Sequence, residues 1–576
     1  MEKRWNIKES CNPTLVSELT EALGIDPVLV NLLIQRGVTN YDQAKSFFRP
    51  QLADLYDPFL MKDMDRAVER IEKAIHNNER ILIYGDYDVD GTTSVALVYS
   101  FLLNHYKNLD YYIPNRYDEG YGVSFKGVDF AESTHCSLII ALDCGIKSID
   151  KVEYANQKNI DFIICDHHTP SDSLPNAVAC LDSKRDDCNY PDKNLSGCGV
   201  GFKLMQALCM TMDYDLECLY EYLDLVAVSI ASDIVPIIGE NRILAYYGLQ
   251  KLNSNPSLGL KSIIDVSGAS GKELNITDIV FKIGPRINAA GRIESGKDAV
   301  NLLISCDPCA VLGLSRDINE CNEKRRDLDR DITAEALSLL AKDSTVDKRF
   351  STVIFNPEWH KGVIGIVASR LTEYYYRPTV ILTESQGWAT GSARSVEGFD
   401  LYKAIDHCSD LLESFGGHTY AAGLTLKTEN VPEFSRRFEK FVAANITPEQ
   451  LIPSIDVDAV ISLTKINDKF YSILKQFQPF GPGNMKPSFV SNNLFDYGTS
   501  KAVGKVETDC KPRHLKVELV ENQSACIRQG IGFSMEEKLG LLKTTAPVDV
   551  CYSIEENYFN GVTSLQMLLR DIKKSE

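Results

Sequence analysis

Between Ile81 and Gly91 the chain reads ILIYGDYDVDG, which sets Asp86, Asp88 and Asp90 at every second position behind a short apolar run. Carboxylates so close together repel one another unless cations sit among them. The plainer alternative is an acidic turn capping a helix that starts near Thr92 or Thr93. A second segment, LIIALDCG, carries Asp143 out of an apolar run in the same way, and a third, FIICDHH, ends in Asp166, His167 and His168. A lone histidine behind a strand is usually structural, but two adjacent ones behind an aspartate, in a chain with 9 histidines, point to ligation. A fourth segment, LDLVAVSIASDIVP, brings Asp233 out of an apolar run before Pro236, and all four sites are expected at strand ends. Mixed aspartate and histidine donors suit Mn2+ or Mg2+ better than zinc, because the thiols in these segments, Cys144 and Cys165, read as packing residues. The donors outnumber what one ion needs. They predict a two-ion site of the kind that activates water for in-line attack on phosphorus.

Such donors need a frame. Apolar stretches at Ile81–Tyr84, Tyr111–Ile113, Leu138–Leu142, Phe162–Cys165 and Ala177–Leu181 alternate with helical patterns. That alternation predicts a mostly parallel sheet covered on both faces, with ligands gathered where the strands end. Residues 14 to 80, upstream, are helical in pattern. Downstream, a charged helix is expected from about Asp307 to Asp343, with a narrow stripe of Ile318, Cys321, Leu328, Ile332 and Leu339 interrupted by Arg325 and Glu335; it reads as a connector. A second α/β segment follows, with strands at Thr352–Phe355, Thr379–Thr383 and Leu424–Leu426 and a helix carrying Phe434, Phe438 and Phe441. After Pro453 the alternation of strands predicts a small β-barrel.

Bulk properties set outer bounds. A length of 576 residues implies two to four domains, and 44% hydrophobic with 24% charged residues is ordinary for a globular protein. The net charge of −19 argues against a basic coat for nucleic acid, although an acidic enzyme can gather its arginines in one groove and acidic metal ligands add to the total. No stretch resembles a signal peptide or a membrane span, so a cytoplasmic location is expected. Of the 16 cysteines only Cys306 and Cys309 form a Cys-x-x-Cys pair; the thiols read as reduced.

In the order DxDxDG, ALDCG, DHH and the Asp233 segment, the chain resembles the DHH phosphoesterases, whose naming triplet stands at Asp166-His167-His168. Further segments narrow the likeness. YIPNRYDEGYG from Tyr112, LSGCGVGFK from Leu195, GPRINAAGR from Gly284, WHKGVIGIVASR from Trp359, GSARS from Gly391, GGHTYAAG from Gly416 and QPFGPGN from Gln478 are similar, in this order, to segments of the RecJ exonuclease family. The likeness extends from the Asp57-Pro58 region to the Asn560-Gly561 hairpin and the QMLLRDI strand. It implies an α/β multidomain chain: an N-terminal helical segment over residues 1–70, a DHH parallel-sheet domain over 71–305, a connecting helix over 306–345, a DHHA1 α/β domain over 346–450 and an OB-fold barrel over 451–576.

The same resemblance implies roles. Asp143 would bridge two metals, Asp88 would serve one ion, and Asp90, His167 and Asp233 the other, with His168 nearby as a positioning or acid group. Tyr84 stands where many relatives carry a histidine ligand, and Asp86 would then complete that shell, since a tyrosine of pKa near ~10 is a poor ligand. Arg286, Asn288 and Arg292 offer donors to phosphoryl oxygens, Arg286 at the scissile phosphate. Arg116, Ser392 and Arg394 would hold the terminal 5′-phosphate, beside the glycine-rich Gly416, Gly417 and His418. In the barrel, Phe480, Tyr497 and His514 could contact DNA or equally be core residues.

The implied activity is 5′→3′ exonucleolysis of single-stranded DNA with two Mn2+ or Mg2+ ions, releasing 5′-mononucleotides in recombination and repair. A monomer is expected, with a single-strand-binding protein and a helicase as candidate partners. Two alternatives stand beside it. One is a DHH phosphodiesterase of short oligonucleotides or cyclic dinucleotides, disfavoured by the segment 455–576, which shorter relatives lack. The other is a non-catalytic DNA-binding scaffold, disfavoured by the intact set Asp88, Asp90, Asp143, His167, His168 and Asp233.

Overall fold

The computed structural model describes residues 2–504, 513–522, 526–559 and 561–575; Asn560 of the expected closing hairpin lies outside them. The chain divides into two compact units, Leu52–Leu451 and a smaller one formed by Met1–Gln51 with Ile452–Glu576.

Strands are numbered here within the larger unit. Its first sheet holds β1 (Arg80–Gly85), β2 (Leu109–Tyr112), β3 (Cys136–Leu142), β4 (Asp161–Cys165) and β5 (Ala179–Leu181). They are all parallel, in the order β2-β1-β3-β4-β5. Side chains alternate across the sheet because successive strand residues point to opposite faces. Ile81 and Ile83 of β1 enter one core with Val95, Phe101 and Phe202, whereas Leu82 and Tyr84 enter another with Val128 and Val152. Both faces are therefore sealed, and the order reverses between β1 and β3, the place where an open α/β sheet leaves a crevice for ligands.

One sequence expectation changes here. The apolar run before Asp233 is not a strand: Leu223–Ser232 is a helix, buried from Leu223 to Ala231, and Asp233 is its C-cap. A segment buried on all sides shows no polar face, so its apolar run does not distinguish helix from strand. The GPRINAAGR segment, for which the sequence suggested no element, is helical over Gly284–Ile293, entered through a π-helical turn at Ile279–Ile283.

A 34-residue helix, Pro308–Ala341, N-capped by the Asp307 carboxylate, leads onward. It packs first against Leu258–Val266 and Gly284–Ile293 and then against the helix Ile364–Tyr375. Glu335, a polar interruption of its stripe, accepts hydrogen bonds from Asn356 and from the Trp359 indole (2.8 Å). The stripe ends on Leu340, with Leu339 exposed. The second sheet comprises β6 (Thr352–Phe355), β7 (Thr379–Ser385), β8 (Trp388–Arg394), β9 (Leu412–Gly417) and β10 (Ala421–Leu426), in the order β9-β10-β8-β7-β6. β8 and β9, unforeseen in the sequence, carry the GSARS segment and the first two glycines of GGH.

In the smaller unit Arg4–Ile7 pairs in parallel with Ser454–Val457, and three helices spanning Pro13–Leu23, Pro27–Ile34 and Tyr41–Phe48 add apolar faces to the core of the C-terminal strands. Strand pairings run from Phe489–Asp496 to Val548–Phe559, Val562–Lys574, Ile527–Gly532 and His514–Glu521, which pairs back with Phe489–Asp496. This is a ring of five. Phe480 packs against its core, Tyr497 is exposed, and His514 meets Phe533 edge-on at 5.1 Å. The helical segment expected over residues 1–70 thus divides: residues up to Gln51 join the barrel, whereas the helix Met64–His76 buries Ala67, Val68 and Ile71 in the core of the larger unit. A helical pattern reveals an apolar face but not the partner that covers it.

Among the described residues all cysteines are free thiols, and no helix is long and apolar enough to cross a membrane.

Candidate active site

The strand ends deliver the acidic residues to one place. Asp143 follows β3 with a left-handed φ of 59°, its N–H donating to the Cys165 carbonyl (2.8 Å). Its Oδ1 lies 3.2 Å from His167 Nε2, and the same nitrogen lies 3.5 Å from Asp233 Oδ2 and 3.8 Å from Asp90 Oδ2. Two overlapping donor groups result, Asp143 with His167 and His168, and Asp90 with His167 and Asp233, each with ligand atoms within 4.8 Å of one another. Asp143 Oδ1, Asp86 Oδ2 and both ring nitrogens of His167 are buried without a hydrogen-bond partner.

Each such orphan costs on the order of 1–3 kcal/mol. Burial, and then the charges of Asp90, Asp88, Asp233 and Asp86, raise the Asp143 carboxyl well above the ordinary range. Asp233 is pushed up to about 8 by burial and by Asp90 and Asp88. Oxygen and imidazole donors that are orphaned and mutually repelling fit hard or borderline divalent cations.

Neighbouring backbone fixes these donors. The helix Gly197–Met212 aims its first N–H groups at Asp90, Gly197 at 2.7 Å and Cys198 at 2.8 Å, and Ser229 adds its hydroxyl at 2.7 Å. Gly197 must be glycine, because a Cβ there would lie 2.6 Å from that of Asp143. The LSGCGVGFK segment thereby acquires a role its sequence did not disclose. Asp88 caps the helix Val89–His105 through Gly91 N (3.0 Å), so the capping alternative holds for one of its oxygens. Asp166 holds His168: its Oδ1 meets His168 Nδ1 at 2.7 Å, while Oδ2 accepts from Ile146 N. Burial opposes its ionisation, yet the His168 bond and charge keep it at about 2. Tyr121, part of the YIPNRYDEGYG segment but given no role by the sequence, reaches His168 Nε2 (3.1 Å) and the Asp143 carbonyl (3.1 Å) with its hydroxyl.

Tyr84 stands apart from the donors. Its hydroxyl donates to the Gly122 carbonyl (2.9 Å) and accepts from Ser124 N (3.1 Å), and its ring stacks on Tyr112. Asp86 uses Oδ1 to accept from Gly122 N (3.1 Å), which leaves Oδ2 orphaned.

A cationic group adjoins the carboxylates. Burial, then the charges of Arg116, Arg325 and Arg394, push Arg292 down to about 10, with Asp88 pulling the other way. Arg292 Nη1 donates to the Gly362 carbonyl (3.0 Å), which joins the first α/β layer to the second. Arg116 lies over the Tyr87 ring at 4.9 Å. Arg394 donates to Ser392 Oγ (2.9 Å) on β8, and Gly423 of β10 pairs opposite Ser392, which sets the exposed hairpin of Gly416, Gly417 and His418 beside them. A Cβ at Gly365 would stand 3.0 Å from Ser392 Oγ and 3.2 Å from Arg394 Nη2, so glycine keeps that side of the pair open.

Arg286 is placed otherwise. Its guanidinium is tied to Asn319 Oδ1 (3.0 Å) and the Lys282 carbonyl (2.6 Å), and its charged neighbours are Arg326, Glu323 and Arg325. Asn288, two residues on, buries an Oδ1 without a partner. Arg325 was visible in the sequence as a charge in an apolar stripe; it joins the arginine group, its Nε buried and unpaired.

Comparison with known proteins is decisive. The N-terminal domain of the DHH family matches residues 80–230, the DHHA1 domain residues 347–444 and the RecJ OB domain residues 457–571. The chain is 35% identical to the single-stranded-DNA-specific exonuclease RecJ of Bacillus subtilis, over 100% of this chain and 71% of that one. It is 31% identical to RecJ of Escherichia coli, over 95% of this chain and 96% of that one. The chain belongs to the RecJ family. A crystal structure of RecJ from Thermus thermophilus in complex with Mn2+ superposes with a TM-score of 0.84 at 25% identity, covering 100% of this chain and 80% of that one. The Mg2+ complex of the same protein gives 0.79. The family's DHH, DHHA1 and OB domains are all present here, and the acidic and histidine cluster is one that can hold metal ions.

Proposed function

We propose that this RecJ-family chain is a metal-dependent exonuclease that degrades single-stranded DNA from its 5′ end and releases 5′-mononucleotides in recombination and repair. The observation that carries the reading is Arg292, whose charged neighbours are the Asp88 carboxylate and the guanidinium groups of Arg116, Arg325 and Arg394. Hydrolytic donors and phosphate-binding cations share one site.

Asp86, Asp88, Asp90, Asp143, His167 and Asp233 would hold the ions. Divalent cations bound there supply Lewis-acid activation of water and neutralise charge on the phosphoryl oxygens. The protein does the remainder. Asp166 and Tyr121 hold both nitrogens of His168, and burial is outweighed by the Asp166 bond and by nearby carboxylates, so its charged form is favoured. His168 is therefore placed to donate a proton near Asp143. Arg292 adds positive charge beside Asp88. Ser392, Arg394 and Arg116 bind the terminal phosphate, whose dianion is held more tightly by guanidinium forks than an internal diester is. Polarity is then a property of binding rather than of the hydrolytic chemistry. The smaller unit contributes a single-strand-binding barrel, as OB-folds do.

Digesting 5′-labelled and 3′-labelled oligonucleotides in parallel with Mn2+ tests the proposal. Release of labelled mononucleotide first from the 5′ end is expected; sustained shortening from the 3′ end, or equal activity on blunt duplex, overturns it.

A further inference from the structure

Arg116 is unusual among the candidate phosphate ligands. Arg394 is tied to Ser392 and Arg292 to Gly362, but among the described residues the Arg116 side chain forms no hydrogen bond or ion pair. A ring seats it from one face, the guanidinium carbon 4.9 Å from the centroid of Tyr87, with Asp86 and Asp88 as charged neighbours. An aromatic face can hold a guanidinium while leaving all its N–H donors available, which a carboxylate partner cannot do.

Tyr87 is itself rigidly seated. It lies between Asp86 and Asp88 in the acidic segment, so its backbone is continuous with the hydrolytic carboxylates. A Cβ added at Gly291 would stand 2.6 Å from the Tyr87 carbonyl oxygen, and one at Gly296 3.2 Å from the Tyr87 Cα and Cβ. Two other helices therefore press on this one residue. Its ring also meets that of Tyr121 edge-on at 6.5 Å, and Tyr121 holds His168.

We propose that Tyr87 is a positioning residue that fixes Arg116 at a set distance from the hydrolytic carboxylates, and so sets the spacing between the terminal phosphate and the scissile bond. The inference rests on the proposed role of Arg116 at the 5′-phosphate. Tyr87 acts through Arg116 and touches no substrate.

The test measures binding without hydrolysis. Fluorescence anisotropy in chelator gives the affinity for 5′-phosphoryl and 5′-hydroxyl oligonucleotides with the full chain, Tyr87→Leu, Tyr87→Phe, Arg116→Ala and the Tyr87→Leu/Arg116→Ala double variant. Tyr87→Leu should lose about 5- to 30-fold of the preference for 5′-phosphate, as expected for a partly desolvated cation–π contact. Tyr87→Phe, which keeps the face, should retain the preference, and the double variant should be no worse than Arg116→Ala. A full preference in Tyr87→Leu, or a loss that adds to that of Arg116→Ala, overturns the inference while leaving the role of Arg116 standing. A wild-type chain indifferent to 5′-phosphate instead overturns the terminal-phosphate reading, and this inference with it. If Tyr87→Leu does not fold, Tyr87→Met serves: its flexible side chain fills the space without an aromatic face and should lose the preference in the same direction, and a full preference would overturn the inference.

Discussion

The carboxylate end and the arginine end of the site are built differently. Asp90 is held by two backbone N–H groups, Asp143 is wedged against Gly197, and Asp166 locks His168 at 2.7 Å. These groups sit at the ends of strands and helices and have little freedom. The arginines come from a loop, two helices and a strand, and each is steadied by one or two hydrogen bonds or, for Arg116, by a ring face. Hydrolysis needs donors fixed to fractions of an ångström, whereas recognition of a flexible strand end tolerates longer stems. Damage to the first end should therefore be all-or-none. Damage to the second should be graded.

The largest expected effect is at Asp143. Asp143→Ala should lower single-turnover hydrolysis by about 10²- to 10³-fold, the range seen when transition-state charge stabilisation is removed. The metal-free variant should melt no lower than wild type, because the mutation removes a buried, repelled carboxyl; a large drop in melting temperature would make the residue structural. At the other end, Arg394→Ala should weaken binding of a 5′-phosphorylated strand by roughly 10- to 150-fold, the worth of a charged hydrogen bond, with the rate at saturation changed far less. Unchanged preference for the 5′-phosphate would remove Arg394 from the recognition end.

Metal and proton linkage sharpen the contrast further. In the metal-free chain Asp143 is raised well above the ordinary range and Asp233 is pushed up to about 8, so the folded state keeps protons that an unfolded carboxyl of pKa about 3.9 has released. These groups therefore cost stability as pH rises from about 4 toward 8. Thermal melts in chelator should fall between pH 6 and 8, and Mn2+ should flatten the slope; melts that rise with pH would contradict the account. The smallest effect belongs to Tyr84→Phe, which loses two hydrogen bonds and about 1–2 kcal/mol of stability but should leave Mn2+ affinity unaltered.

Much of this was legible in the sequence, for identifiable reasons. Asp86, Asp143 and the His167 pair follow strands whose apolar runs are short and sharply bounded, and in a parallel sheet all such ends share one edge. Asp233 reached the same place from a helix, because its all-buried run carries no period to read. The arginines were harder. Arg286, expected at the scissile phosphate, donates to Asn319, and Arg325, read as an interruption of an apolar stripe, is a charged neighbour of Arg292. A helix–helix contact decides each case, and such contacts join residues far apart in the chain. Tyr84 and Tyr87 differ by three positions, yet one closes a loop and the other faces Arg116, a distinction made by strand alternation and by where the strand stops.

The most direct test of the central claim is anomalous diffraction at the manganese edge from crystals of the chain grown with Mn2+. The account predicts peaks beside Asp143 Oδ1 and His167 Nε2, lost in Asp143→Ala. Manganese bound elsewhere, or no peak at this cluster, would contradict it.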